Sequence, residues 1–100
     1  MKQVQATIVN KLGLHARPSA ALTQTATRFK SEVFVTKGSR RVNGKSIMGV
    51  MMLAAARGAV LTLEVNGPDE DAALAALVEL IASGFGEGAA PTEPADPPGH

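Results

Sequence analysis

The chain has 100 residues, a length suited to one small domain, and 45% of them are apolar, enough for a core. It contains no cysteine, which excludes disulfides, thiolate metal sites and thiol catalysis, and no Trp or Tyr, which argues against an aromatic platform for stacked bases. The formal charge of +1 hides an asymmetry: residues 1–85 carry ten basic and six acidic residues, a charge of +4, too weak for a bulk nucleic-acid binder.

Met1–Gln5 lacks the apolar run of a secretory signal, and no apolar stretch is long enough to cross a membrane. A cytoplasmic location without membrane insertion is therefore expected. Alternation across Val4–Val9 predicts a strand with one buried face. Lys11–Leu14 then forms a loop bent at Gly13, and a helix follows from about Ala16 to Arg28. Leu22, Ala26 and Phe29 recur at helical spacing and should face the core, while Pro18 suits the first turn. Glu32–Lys37 alternates again, with Val33 and Val35 on one face and Phe34 and Thr36 on the other. Gly38-Ser39 fits a two-residue hairpin turn, from which Arg40–Asn43 returns antiparallel.

Ser46–Ala56 reads as a short helix ending near Gly58, capped by Ser46, with Val50 and Leu53 toward the core. Ala59–Val65 is the most strand-like run, broken by Gly67-Pro68. Asp69-Glu70-Asp71 brings negative charge to the start of a last helix, where it suits the dipole. Ala73, Ala76, Leu77, Leu80 and Ile81 give that helix its buried stripe, and Ser83-Gly84 ends it. From Gly86 the composition turns to Pro, Gly, Ala and acids, so residues 87–100 are expected to form a disordered tail, with His100 a plain tail residue. The order β-α-β-β-α-β-α predicts an α+β domain over residues 1–86, one antiparallel sheet covered on one face by helices.

His15 lies at the mouth of the first helix, with Arg17 two residues on. A lone histidine there is more often a cap or a loop residue. However, a helix N-terminus presents unpaired N–H groups and about half a positive charge, which favours an anion such as phosphate. A neutral imidazole is a good nucleophile near neutral pH, since its ordinary pKa is about 6.5. Arg17 opposes the dipole of the bare helix, and an arriving dianion would turn that cost into attraction. One histidine offers no ligand set for a metal. The short helix is apolar on more than one face, which leaves some of Ile47, Met48 and Met51 outside, and flexible methionines suit a surface that meets several partners. Ala20 and Thr23 can contribute from the first helix.

Two motifs, Gly13-Leu14-His15-Ala16-Arg17-Pro18 and Asn43-Gly44-Lys45-Ser46-Ile47-Met48-Gly49-Val50-Met51, lie in this element order. With them, residues 2–86 resemble the phosphocarrier HPr family of the bacterial phosphoenolpyruvate-dependent phosphotransferase system. The resemblance implies an open-faced sandwich, a four-stranded antiparallel sheet with three helices on one side. It implies phosphorylation of His15 at Nδ1 by phospho-enzyme I, stabilisation by Arg17, and transfer to EIIA-type acceptors. It implies no cofactor, and a stoichiometric carrier rather than an enzyme. Ser46 becomes a regulatory phosphorylation site for an HPr kinase/phosphorylase, with a transcriptional regulator as a further partner. The docking surface would be Ala16, Ala20, Thr23, Ile47, Met48 and Met51, on a monomer. Asn10-Lys11-Leu12-Gly13 and Ser83-Gly84-Phe85-Gly86-Glu87 resemble the nitrogen-type branch, and the Ser46 motif the serine-regulated one, which together imply a regulatory carrier with limited sugar transport. The alternative is a docking module without phosphoryl chemistry, acting through Ser46, Met48 and Met51. Lys37, Arg40, Arg41 and Lys45 make a patch too small for nucleic acid, and a solvated hairpin explains them.

Overall fold

Strand alternation and helical periodicity meet in one core. The computed structural model describes residues 1–86, and the tail expected over residues 87–100 lies outside them. The elements are β1 (Lys2–Thr7), α1 (Ala16–Thr27), β2 (Glu32–Lys37), β3 (Arg40–Asn43), α2 (Ile47–Met52), β4 (Val60–Asn66) and α3 (Glu70–Ala82), closed by a short 3-10 turn at Gly84–Gly86. The strands pair antiparallel in the order β1-β4-β2-β3. Val33 and Val35 of β2 and Leu61, Leu63 and Val65 of β4 point to one face and are buried. Leu22 and Ala26 of α1, Val50 of α2, and Ala73, Leu77 and Ile81 of α3 close over them, giving the expected α+β sandwich with its other face open. Each large aliphatic side chain buried there contributes about 1.5–3 kcal/mol.

β1 runs Lys2–Thr7 rather than Val4–Val9. The ladder stops at the Thr7–Val60 pair because β4 begins there. Ile8 still follows the alternation: it is buried, its N–H donates to Ala59 O at 2.9 Å, and its carbonyl accepts from Gly58 N at 2.8 Å. Side-chain period thus reports the face and not the length of the pairing.

α2 ends at Met52, four residues short of the expected Ala56. Ala54 adopts φ +49, and the Ala55 carbonyl accepts from Leu14 N at 2.8 Å. A tertiary hydrogen bond has overridden the helix propensity of three alanines, making residues 54–56 a strap under the loop before α1.

On α3, Leu80 and Ala76 are only half-buried because they line a shallow groove of about 280 Å³ with Thr25, Arg28, Glu79 and Ser83. Phe29 is also half-buried, and the missing aromatic core residue is Phe85, buried from the closing turn at φ +59. Asp69 does more than supply helix charge. Its carboxylate accepts from Lys30 N and Ser31 N, both at 2.9 Å, and from the Ser31 hydroxyl, tying the α1–β2 link to the start of α3. These donors, the Ser31 hydroxyl foremost and then the Lys30 amide, lower its pKa to about 2.

Candidate functional site

The loop before α1 is fixed bond by bond. Asn10 is buried, and its Nδ2 donates to Gly13 O at 2.8 Å. Gly13 N donates to Asn10 O at 3.2 Å, and Gly13 O also receives His15 N at 3.0 Å. Gly13 needs its φ of +68 and its bare Cα, because a Cβ there would stand 2.3 Å from Ala55 O. Leu14 N reaches that same Ala55 O, and Leu14 O accepts from the buried Ser19 hydroxyl at 3.2 Å.

His15 follows as the N-cap of α1, half-buried, in extended backbone, with no side-chain capping bond. Its own N–H is used by Gly13 O, and Pro18 has none to offer. The helix therefore leaves two first-turn donors, the amides of Ala16 and Arg17. No acidic residue lies in that turn. The Arg17 side chain is exposed, and among the described residues no hydrogen bond or ion pair engages it. The two amides and the helix dipole stand at the end that carries the imidazole, and Arg17 adds an exposed cation on the same first turn, an arrangement able to hold a tetrahedral oxyanion.

α2 packs against α1. Ser46 caps it as expected, its hydroxyl accepting from Gly49 N at 3.1 Å. Met48 is 65% exposed, Ile47 39% and Met51 37%, so the apolar residues expected outside do lie outside. Leu12 and Met52 are exposed as well. Neither carries a sequence signal of exposure, since a loop residue has no periodicity and Met52 sits inside an unbroken apolar run. On α1, Ala16 is exposed while Ala20 and Thr23 are half-buried. The Thr23 hydroxyl oxygen is buried and finds no hydrogen-bond partner among the described residues, which makes it a poor handle for a partner.

Of the hairpin cations, Arg40 and Arg41 are exposed, as expected of a solvated hairpin, whereas Lys37 and Lys45 are half-buried, and all four are tied to neighbouring elements. Lys37 Nζ and Arg40 donate, each at 3.3 Å, to Leu53 O and Met52 O at the C-terminal end of α2. Lys45 Nζ donates to Phe29 O beyond the end of α1 at 2.8 Å. Arg41 lies 3.8 Å above the Phe34 ring and 3.0 Å from Glu64 on the open sheet face. Such ties join elements far apart in sequence and leave no local signal. Among the described residues, no group of three or more His, Cys, Asp or Glu could hold a metal ion, and no helix is long and apolar enough to cross a membrane.

Known proteins share this sequence pattern and this fold. The family model described as the PTS HPr component phosphorylation site covers residues 2–83. Phosphocarrier protein HPr of Neisseria meningitidis serogroup A is 65% identical over 81 residues, 81% of this chain and 91% of that protein. HPr of Cupriavidus necator is 59% identical over 88 residues, 88% of this chain and 99% of that protein. A crystal structure of HPr from Thermoanaerobacter tengcongensis superposes with a TM-score of 0.84 at 52% identity, covering 87% of this chain and 98% of that one. The chain belongs to the HPr family, the phosphocarriers of the phosphotransferase system.

Proposed function

We propose that this chain accepts a phosphoryl group on His15 from phospho-enzyme I and passes it to an EIIA-type acceptor, working in the cytoplasm as a stoichiometric carrier. The observation that carries this reading is His15 at the N-cap of a helix whose remaining first-turn donors are the Ala16 and Arg17 amides, with the Arg17 side chain exposed and engaged by no hydrogen bond or ion pair among the described residues. In the transfer, Nδ1 of His15 attacks the phosphorus held on the donor imidazole. A new N–P bond forms, the old one breaks, and its electron pair returns to the donor ring. The two amides, Arg17 and the dipole of α1 offset the charge on the phosphoryl oxygens. Onward transfer is the same step reversed in direction, so it needs in-line positioning and little other chemistry.

Ser46 is the proposed control point. Phosphorylation there would add about −1.5 to −2 charge at the cap of α2, among Ile47, Met48 and Met51. That charge repels an acidic partner surface and offers an arginine-rich one a new ligand. The exposed methionines favour the second reading too, a docking module that needs no phosphoryl chemistry.

Phosphopeptide mapping after incubation with enzyme I and phosphoenolpyruvate separates the two. The carrier reading requires acid-labile phosphate on the His15 peptide and its loss in His15→Ala with docking retained. An unlabelled peptide, with enzyme I active on a control carrier, leaves the docking module.

A further inference from the structure

We infer that Asn10 is a positioning residue for phosphoryl transfer, acting on His15 through the Gly13 carbonyl, with Ser19 as a second tie on the same loop. This rests on His15 being the phosphoryl acceptor. Two peptide planes precede the His15 Cα, and each is held at both ends. In the first, Gly13 O receives Asn10 Nδ2 at 2.8 Å and His15 N at 3.0 Å, while Leu14 N donates to Ala55 O at 2.8 Å. In the second, Leu14 O receives the Ser19 hydroxyl at 3.2 Å, while His15 N is the donor to Gly13 O. Among the described residues, only Asn10 and Ser19 contribute to this clamp through their side chains.

A bland structural reading of Asn10 is weaker than its environment. The residue is 1% exposed, and burying an amide costs free energy that a small apolar side chain would not incur. Its Nδ2 donates to the carbonyl that receives the His15 N–H, so the buried amide acts directly on the peptide plane before His15. Without it that carbonyl keeps only the His15 amide two residues ahead, a tight and poorly directed contact. The plane can then tilt, and the imidazole tilts with it. Misplacement of a reacting group by on the order of 1 Å costs about a hundredfold in rate. The docking residues on α2 belong to another element, so partner affinity should not follow.

The test is rapid-quench transfer from pre-phosphorylated enzyme I to wild type and Asn10→Ala, read as the limiting rate and the half-saturating carrier concentration. The expected result is a limiting rate about tenfold lower or more, with half-saturation within about twofold of wild type. In nitrogen–proton correlation spectra, the Leu14 and His15 amide signals should move while those of β2 and β4 stay. A folded Asn10→Ala with the wild-type limiting rate overturns the inference, as does a change in half-saturation alone. If Asn10→Ala does not fold, Ser19→Ala removes the other side-chain tie without lowering the helix propensity of α1. It must then show the same rate-only loss, and a wild-type rate there overturns the inference. Wild type that takes no phosphate on His15 removes the carrier reading and this inference together, whereas normal wild-type labelling with an undiminished variant removes this inference alone.

Discussion

Replacing Gly13 by alanine measures the close approach beneath the His15 loop. At φ +68 an L residue is left-handed, which costs about 1–2 kcal/mol. The new Cβ would also stand 2.3 Å from Ala55 O and 2.8 Å from Ala56 Cα, both backbone atoms that no rotamer change can clear. The strap at residues 54–56 must retreat, and overpacking of this kind costs about 1–3 kcal/mol. Retreat stretches the 2.8 Å bond from Leu14 N, and a buried amide left unpaired costs about 1–3 kcal/mol. These contributions overlap, so the expected loss is about 3–5 kcal/mol, a large part of the roughly 5–15 kcal/mol that holds a domain together. Gly38 supplies the control: its φ is +62, yet nothing lies within 4 Å of a Cβ built there. Gly38→Ala should lose only the backbone part, about 1–2 kcal/mol. Urea denaturation of both variants, with slopes compared to confirm two-state unfolding, gives the difference directly. Equal losses would refute the claim that Gly13 is required by the strap rather than by its turn.

Ser46→Ala removes the bond to Gly49 N and should cost about 1 kcal/mol, which lowers Tm by about 4–8 °C. Ser46→Asp keeps a capping oxygen, so thermal unfolding should match wild type while transfer from an acidic partner slows; equal melting of the Ala and Asp variants would contradict the capping role. Arg17→Ala should lower the limiting transfer rate about 10–100-fold, the equivalent of a charge-assisted bond of about 1.5–3 kcal/mol, while leaving urea stability unchanged or raised by a few tenths of a kcal/mol. A parallel loss of rate and stability would make Arg17 structural. Asp69 has a folded pKa of about 2 against an ordinary 3.8, so its bonds contribute stability that is complete above the ordinary value and is lost as pH falls through about 2. Between pH 5 and 2 the urea midpoint of wild type should therefore fall more steeply than that of Asp69→Asn, and parallel curves would show that the Ser31 and Lys30 contacts do not tune it.

What the sequence made legible was local. The Leu22 and Ala26 spacing placed α1, Val33 and Val35 the buried face of β2, and Ser46 the start of α2. The end of α2 was hidden because nothing in Met52-Leu53-Ala54-Ala55-Ala56 signals that Ala55 O will be claimed by Leu14, forty-one positions back. Phe85 was missed for a similar reason: it follows the Gly84 that ends the helix pattern, and only the closing turn folds it inward. His15 and Arg17 stood out because helix-terminus physics is itself local. The contact of Asn10 carries no such signal, since a single amide three residues before a loop glycine has no period, and its meaning depends on which carbonyl it meets.

The geometry also bears on why a carrier is built this way. A phosphoryl group that must leave as readily as it arrives should be stabilised without being trapped. On the proposed reading, two backbone amides and one exposed guanidinium meet that need, because an exposed cation is screened by water and holds an anion far less tightly than a buried one. On the proposed reading, water screening leaves the rest of the transition-state stabilisation to the donor or acceptor protein. If that site both receives and passes on the group, it must fit at least two different partners. Adaptability cannot lie in the loop, where a tilt of the ring would misalign every transfer, and the loop is accordingly bonded at each peptide plane from Gly13 to His15. It can lie in Met48 and Met51, unbranched side chains on a neighbouring helix that repack at little cost. Rigid chemistry beside a soft contact surface makes a clear demand on mutants: changes at Asn10, Gly13 or Ser19 should slow transfer to and from every partner alike. Changes at Met48 or Met51 should alter partners unequally, and a Met48→Ala variant that slowed transfer from enzyme I and to an acceptor by the same factor would break the distinction.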